Sequence, residues 1–244
     1  MLMYRRPSRV RSLHPLFLRS QMATATVPVQ TSSRVRLKYL LFGFIGLMIG
    51  YVLVHNESFL VHRDDLAWQH YHPFRWYLLP HGLAGACAIL LGPLQFSDRL
   101  RQRFTKFHRV IGRIYIAGAL IAAPFGAYIQ YFEERMGGPR SFSIAALVDA
   151  ILLTTTTAIA FGFILNGKVQ QHRQWMTRSF AVALVFLEVR VVQGVTGWEK
   201  LGIGATETIV WSCLAFSLFS ADVVLQIQEL RRSRSMAKAQ VSHA

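Results

Sequence analysis

Two short motifs combine residue types that can hold a charged or redox-active group. The first is Lys106-Phe107-His108-Arg109-Val110-Ile111-Gly112-Arg113-Ile114-Tyr115, and the second is His172-Arg173-Gln174-Trp175-Met176-Thr177-Arg178. Each begins with His-Arg and places another arginine about a turn later. On a helix, Arg109 and Arg113 share a face, and Gly112 lies one turn below His108. Two imidazoles on two helices at one depth can ligate a haem b iron axially, with guanidinium groups meeting the propionates and a glycine leaving room for the flat macrocycle. The same groups can hold a quinone head group, a metal or the phosphates of anionic lipids. A plainer reading stands beside these. Arginine and lysine at helix ends are what membrane topology demands, Trp175 and Tyr115 suit an interfacial belt, and His108 and His172 can simply cap helices. Both histidines also lie at the edges of their apolar runs, shallower than an axial pair is expected to sit.

A second group lies inside apolar runs: His81, Asp149, Glu188, Arg190 and Gln193. A charged side chain in a bilayer costs about 2.5–3.5 kcal/mol on insertion scales, so each needs a partner or a purpose. At 1.5 Å per residue, and with the helices running in alternating directions, all five fall in one outer third of the membrane. Arg190 is then expected to pair with Asp149 or Glu188, either as an ion pair that locks helix register or as part of a polar pocket or proton relay. His81 follows Pro80, and Gly85 one turn on is expected to leave open space beside the imidazole. His62, His70 and His72, with Asp64 or Asp65, match no metal-ligand spacing and read as a solvated loop. The run from Thr154 to Thr157 reads as helix hydroxyls bonding back to preceding carbonyls. Phosphate-binding glycine loops, the His-Glu-x-x-His pattern and a nucleophile elbow are absent, so no enzyme class is assigned.

The elements that must position these residues follow from composition. Of the 244 residues 52% are hydrophobic and 16% charged, with a mean hydropathy of +0.32, too apolar for an ordinary soluble domain. Six apolar runs approach the length needed to cross a bilayer, at about residues 39–54, 76–96, 110–132, 142–165, 175–194 and 207–226. The net charge of +15 does not indicate a nucleic-acid partner, because the basic residues fall in short loops and tails between these runs. Nineteen Lys and Arg lie in the N-terminal tail, the 97–109 and 166–174 loops and the C-terminal tail, against five in the alternate loops. That bias places both termini on the cytoplasmic side. The expected fold is an all-α polytopic membrane bundle of about six helices, over residues 39–226, with spans two to five as its core and the first span peripheral. Residues 1–38 form a basic tail expected to be disordered, with the composition of a transit peptide unless translation starts at Met22. Residues 227–244 form a second basic tail. Gly137-Gly138-Pro139 and Asn166-Gly167 punctuate the runs into hairpins. The small residues Gly82, Ala84, Gly85, Ala86 and Ala88 would let helices approach closely. Cys87 and Cys213 lie in apolar runs and are expected to be buried, inert thiols.

Three separated motifs, His81-Gly82 through Gly92-Pro93-Leu94-Gln95-Phe96, then His108-Arg109 with Gly112-Arg113 and Tyr115, then His172-Arg173 with Trp175-Met176 and Arg178, resemble the bacterial multi-pass membrane family catalogued as domain of unknown function 2306. The resemblance runs from about residue 76 to 224. It implies the membrane topology and singles out these residues, but carries no reaction. The histidine-bearing helices are also similar, at the level of fold, to two-haem membrane cytochromes such as cytochrome b561. His81 lacks an obvious second intramembrane histidine on its side, against a second haem. The expectation is therefore an inner-membrane, redox-associated protein holding haem b or a quinone at His108 and His172, working with a redox partner in the bilayer, and using His81, Asp149 and Arg190 as a polar relay. The alternative is a non-enzymatic small-molecule transporter or lipid-binding module built on the second group.

Overall fold

A computed structural model describes residues 32–55 and 66–241. The N-terminal stretch including Met22, as well as His62, Asp64 and Asp65, lies outside the described residues. The chain divides into residues 1–39 and 40–244. The helices are α1 (Ser32–His55), α2 (Leu66–Tyr71), α3 (Arg75–Gln95), α4 (Asp98–Arg103), α5 (Thr105–Arg135), α6 (Arg140–Leu165), α7 (Val169–Thr196) and α8 (Ile203–Val241), with 3-10 turns before α3 and α8. Among the described residues there is no strand. Five helical runs are long and apolar enough to cross a membrane: Trp68–Gln95, Thr105–Arg135, Arg140–Leu165, Val169–Thr196 and Ile203–Arg234. The first expected span, residues 39–54, corresponds to the shorter apolar helix Tyr39–His55.

The distribution of side-chain size identifies the solvent. Leu47, Leu83 and Phe219 are more than 70% exposed, whereas Ala88, Ala119 and Ala160 are at most 2% exposed. Many large apolar groups face outward, and small residues occupy much of the interior, alongside a few large ones such as Tyr115 and Phe180. In water that arrangement would waste the hydrophobic effect; in lipid it places bulky side chains among acyl tails and lets backbones meet. The protein is a helical membrane bundle.

Four helices form a ring in the order α3, α5, α6, α7, with α8 packed outside on α7 and α6. Successive helices of the ring are antiparallel because their connections are short. At the α6–α7 turn, Gly167 takes φ +68°, and the Lys168 amide donates to the Phe163 carbonyl at 2.9 Å, so the helix ends where Asn166-Gly167 predicts. Gly137, at φ +102°, turns the chain between α5 and α6. Ser97 caps α4 by accepting from the Leu100 amide at 3.3 Å. The α4 segment, the α6–α7 turn and the end of α8 share one end of the bundle, hereafter the basic end.

The tightest crossing is between α3 and α5. A Cβ on Gly118 would stand 2.6 Å from the Ala84 carbonyl oxygen, so only glycine lets the two backbones meet there. Small residues of α3 do serve close packing, as the sequence suggests, with Ala84 and Ala88 buried. The portion of α1 from Leu40 onward is held mainly by long side chains: Phe42 lies 6.4 Å from Phe96 at the basic end, and Tyr51 covers Gly194 towards the far end. Residues 32–38, expected to lie in the tail, form the opening turns of α1, and residues 227–241 continue α8 instead of leaving it. The α8 extension is tied to α7 by Gln174 donating to Glu229 at 2.7 Å and by an Arg232–Gln170 hydrogen bond.

Gly118→Ala is expected to lower the unfolding free energy in detergent by about 1–3 kcal/mol, the range for overpacking, because the obstructing atom is backbone. Gly162→Ala, where nothing lies within 4 Å of the added carbon, is expected to be neutral or mildly stabilising. Thermal or SDS-induced unfolding of the purified variants measures the difference.

Candidate functional site

The two His-Arg motifs come together at the basic end, on α5 and α7. These helices lie diagonally across the ring and run parallel, both starting at that end. Their register is fixed two turns deeper, where the Tyr115 and Ser179 hydroxyls lie 2.9 Å apart, 64 positions apart in sequence. His108 and His172 have the same offset and precede that pair by seven residues each, about 10 Å along the helix axes. Both imidazoles are half-buried, and each contributes to the electrostatic environment shared with Arg101 and Arg109.

Their hydrogen bonding differs in a way that matters chemically. His172 Nδ1 lies 2.8 Å from the Ala160 carbonyl oxygen. A carbonyl only accepts, so Nδ1 carries the proton and the neutral ring keeps its lone pair on Nε2. His108 has its Nδ1 buried with no partner among the described residues. One histidine is thus oriented and the other left open.

The neighbours of the pair sort into those engaged there and those engaged elsewhere. Gln95, at the end of α3, donates from Nε2 to the His108 carbonyl at 3.4 Å, and its Oε1 lies 3.1 Å from where a Cβ on Gly112 would stand. The space expected beside Gly112 for a macrocycle is therefore filled by the Gln95 amide, because α3 ends level with that turn of α5. Arg173 shares its surroundings with Arg101 and Asp98 of α4. Arg109 and Arg113 are exposed. Arg178 is turned away: its Nε and one terminal nitrogen meet Asp222 of α8 at 2.9 and 2.8 Å, while its guanidinium lies 5.1 Å from the Trp175 ring centre.

Beneath the histidines the bundle is closed by Ile111 and Met176, and then by three hydroxyls with no exposure, Tyr115, Ser179 and Thr157. Thr157 Oγ1 lies 2.7 Å from Ser179 Oγ, so one chain of hydrogen bonds joins α5, α7 and α6. This corrects two expectations. Tyr115 is a core residue, not part of an interfacial belt, because its position on α5 faces the ring interior. Thr157 bonds across helices, whereas Thr156 does bond back, to the Leu152 carbonyl at 2.7 Å.

Members of the second group engage different neighbours. His81 Nδ1 donates to the Ala122 carbonyl at 2.9 Å, with its ring against Gly126, where an added Cβ would stand 2.8 Å from Cε1. The room beside His81 is therefore made by Gly126 of α5, while Gly85, expected to provide it, faces Ala122. Phe186 links His81 to Arg190: the His81 ring meets it edge-on at 6.5 Å, and the Arg190 guanidinium lies 5.1 Å from its centre. Gln193 is buried on α7. Glu188 points to α8 and accepts from Ser217 at 2.9 Å. The expected ion pair of Arg190 with Asp149 or Glu188 does not form among the described residues; two positions apart on α7, Arg190 and Glu188 face different neighbours. Asp149 has one carboxylate oxygen buried without a hydrogen-bond partner.

Outside these groups, His70 meets Glu133 at 2.9 Å and His72 accepts from Arg75 at 3.2 Å. No group of three His, Cys, Asp or Glu side chains able to hold a metal occurs among the described residues. Cys213 is buried and Cys87 partly so, both as free thiols.

Sequence reading overlooked Arg101 and Ser179, gave Gln95 no contact of its own, and assigned Thr157 to bonding within its helix. A signal for two of the buried hydroxyls was present: Tyr115 and Ser179 each follow a motif histidine by seven residues, two turns down one helix face. Ser179→Ala, which strands the Tyr115 and Thr157 hydroxyls, is expected to lower stability by about 1–2 kcal/mol. Thr155→Val, at an exposed hydroxyl on the same helix as Thr157, is expected to leave it unchanged in the same unfolding assay.

No curated protein and no solved structure matched the chain. A family model described as "Predicted membrane protein (DUF2306)" matches residues 78–225, which takes in α3 from its first turn, α4 to α7, and the apolar part of α8. The match contains His81, both His-Arg motifs and the buried hydroxyl chain, and the chain belongs to this family of predicted membrane proteins.

Proposed function

We propose that this is a multi-pass protein of the cell inner membrane that holds a flat redox-active group, haem b or a quinone, between His108 and His172, and passes electrons to or from a partner in the bilayer. The observation that carries the reading is the asymmetry of the two imidazoles on diagonal helices: His172 is fixed by Ala160 through Nδ1, which puts the lone pair of the neutral ring on Nε2, and His108 has a buried nitrogen without a partner among the described residues. Buried polar atoms are nearly always satisfied, so such an atom beside a second available imidazole suits a ligand.

The donor set fits either group in kind. Neutral imidazoles suit iron, and Arg101, Arg109 and Arg173 suit propionates. A quinone head group would meet the imidazoles and the Gln95 amide as they stand, whereas a macrocycle against Gly112 requires Gln95 to swing aside. Bound haem would supply one-electron exchange at iron, and bound quinone coupled electron and proton exchange at its carbonyl oxygens. The protein's own part is to fix the His172 ring through Ala160, to keep water out with Ile111, Met176 and the hydroxyl chain beneath, and to balance negative charge with arginines.

The topology we propose has six spans with both termini in the cytoplasm. It is supported by the basic loops gathering at one end and by the antiparallel course of the helices. The 17-residue apolar stretch Tyr39–His55 would cover about 25 Å, enough for a slightly thinned bilayer core.

The protein purified in mild detergent is expected to give a reduced-minus-oxidised spectrum of b type, or to release a quinone on solvent extraction. The signal should be lost in His172→Ala and reduced at least tenfold in His108→Ala, with helical content and thermal midpoint showing that both variants fold. A preparation with neither group, from cells that make other haem proteins and quinones, sinks the proposal.

A second reading rests on Asp149, whose buried unpartnered oxygen suits a proton- or cation-coupled transporter. It predicts that Asp149→Asn abolishes proton-coupled solute uptake into proteoliposomes while leaving any visible spectrum intact. Unchanged uptake excludes this role.

A further inference from the structure

The α5 and α6 helices part on their lipid-facing side and leave a groove of about 750 Å³. Its walls run along α6 from Arg140 to Thr155, about 22 Å at 1.5 Å per residue. That exceeds the hydrocarbon depth of one leaflet, about 15 Å. The floor is apolar, with Leu147 and Ile151 each more than half exposed. The mouth is polar and aromatic. Tyr128 and Tyr131 stand there with ring centres 6.4 Å apart, beside Glu134 and Arg140.

The charges at the mouth indicate the occupant. Arg140 Nε and Glu134 Oε1 are 4.0 Å apart, too far for a hydrogen bond, and the Arg140 side chain is 83% exposed. An anion and a cation thus sit side by side, each with capacity to spare, at the end of an apolar trough as long as an extended acyl chain. A head group carrying phosphate and a primary ammonium next to each other matches this pair in sign and spacing. The phosphate would take hydrogen bonds from the guanidinium, and the ammonium would donate to the carboxylate. A quaternary ammonium has no proton to donate to Glu134, and an anionic glycerol head group would leave that carboxylate facing negative charge.

We propose that the α5–α6 groove is a binding site for a phospholipid with a zwitterionic, primary-ammonium head group of the phosphatidylethanolamine type, one acyl chain lying along Leu147 and Ile151. This site is separate from the histidine pair and stands whether or not a redox group binds there.

Native mass spectrometry of the full chain, in detergent containing equal amounts of dioleoyl phosphatidylethanolamine, phosphatidylglycerol and phosphatidylcholine, tests it. The expected result is a first retained lipid that is phosphatidylethanolamine at least threefold over either competitor. Arg140→Gln and Glu134→Gln should each abolish that preference, and Ile151→Trp, which fills the trough while leaving both charges in place, should reduce retention of all three. Both charged positions lie at helix ends near the surface, and circular dichroism with the thermal midpoint checks that the variants fold. Equal retention of the three lipids, a preference for phosphatidylcholine or phosphatidylglycerol, or a phosphatidylethanolamine preference that survives both charge substitutions would overturn the assignment.

Discussion

The hydrogen-bonded chain Tyr115–Ser179–Thr157 is the interaction on which the arrangement of the core most depends. In lipid there is no hydrophobic drive to bring one apolar helix against another, so register comes from small-residue packing and from polar groups that need partners. Three hydroxyls with no exposure, one on each of α5, α7 and α6, satisfy one another. A slip of either partner by one turn, about 5.4 Å, would break the chain and strand hydroxyls in a medium without water. With α5 and α7 held in that register, His108 and His172 are brought to the same level two turns above.

The other half of the ring is built on contact instead of hydrogen bonding. The α3 and α5 backbones meet at Ala84 and Gly118, and the same close approach lets His81 lie over Gly126 and reach the Ala122 carbonyl. It also sets Gln95 beside Gly112. A single helix crossing thereby determines what surrounds an imidazole at each end of the bundle, satisfied at one end by a carbonyl and flanked at the other by an amide. Polar residues on α8 then fasten that helix to α7, through Asp222 to Arg178 and Ser217 to Glu188. Because Arg178 and Glu188 are used in this way, neither is available to the groups the sequence associates them with.

Much of this was legible in the chain itself. Apolar run length and the bias of basic residues are local properties, set by the thickness of the bilayer and the cost of burying charge, and α3, α5, α6 and α7 lie where the runs predict, whereas α4 falls in a stretch read as a loop. The stops at Gly137 and Asn166-Gly167 are likewise local, because they depend on the backbone freedom of one residue. The pairing of His108 with His172 at one depth was also foreseeable, since both open apolar runs at the same end. Helix ends were less legible: α8 continues through the charged stretch to Val241, beyond the apolar run, because contacts to Gln170 and Gln174 support a helix that hydropathy alone would end.

Composition and apolar patterning alone were enough to establish the class of solvent, the approximate limits of the long apolar helices, and the residues whose burial demands an explanation. Which of those residues meet was decided only in the tertiary structure. Depth along a helix follows from counting residues, but the direction a side chain faces follows from the rotation of each helix about its axis, and that is fixed by packing among several helices at once. For this reason His108 and His172 converge, while Arg190 and Glu188, two residues apart and within about 3 Å in depth, turn to different neighbours, and Asp149 is left with an oxygen that has no hydrogen-bond partner among the described residues.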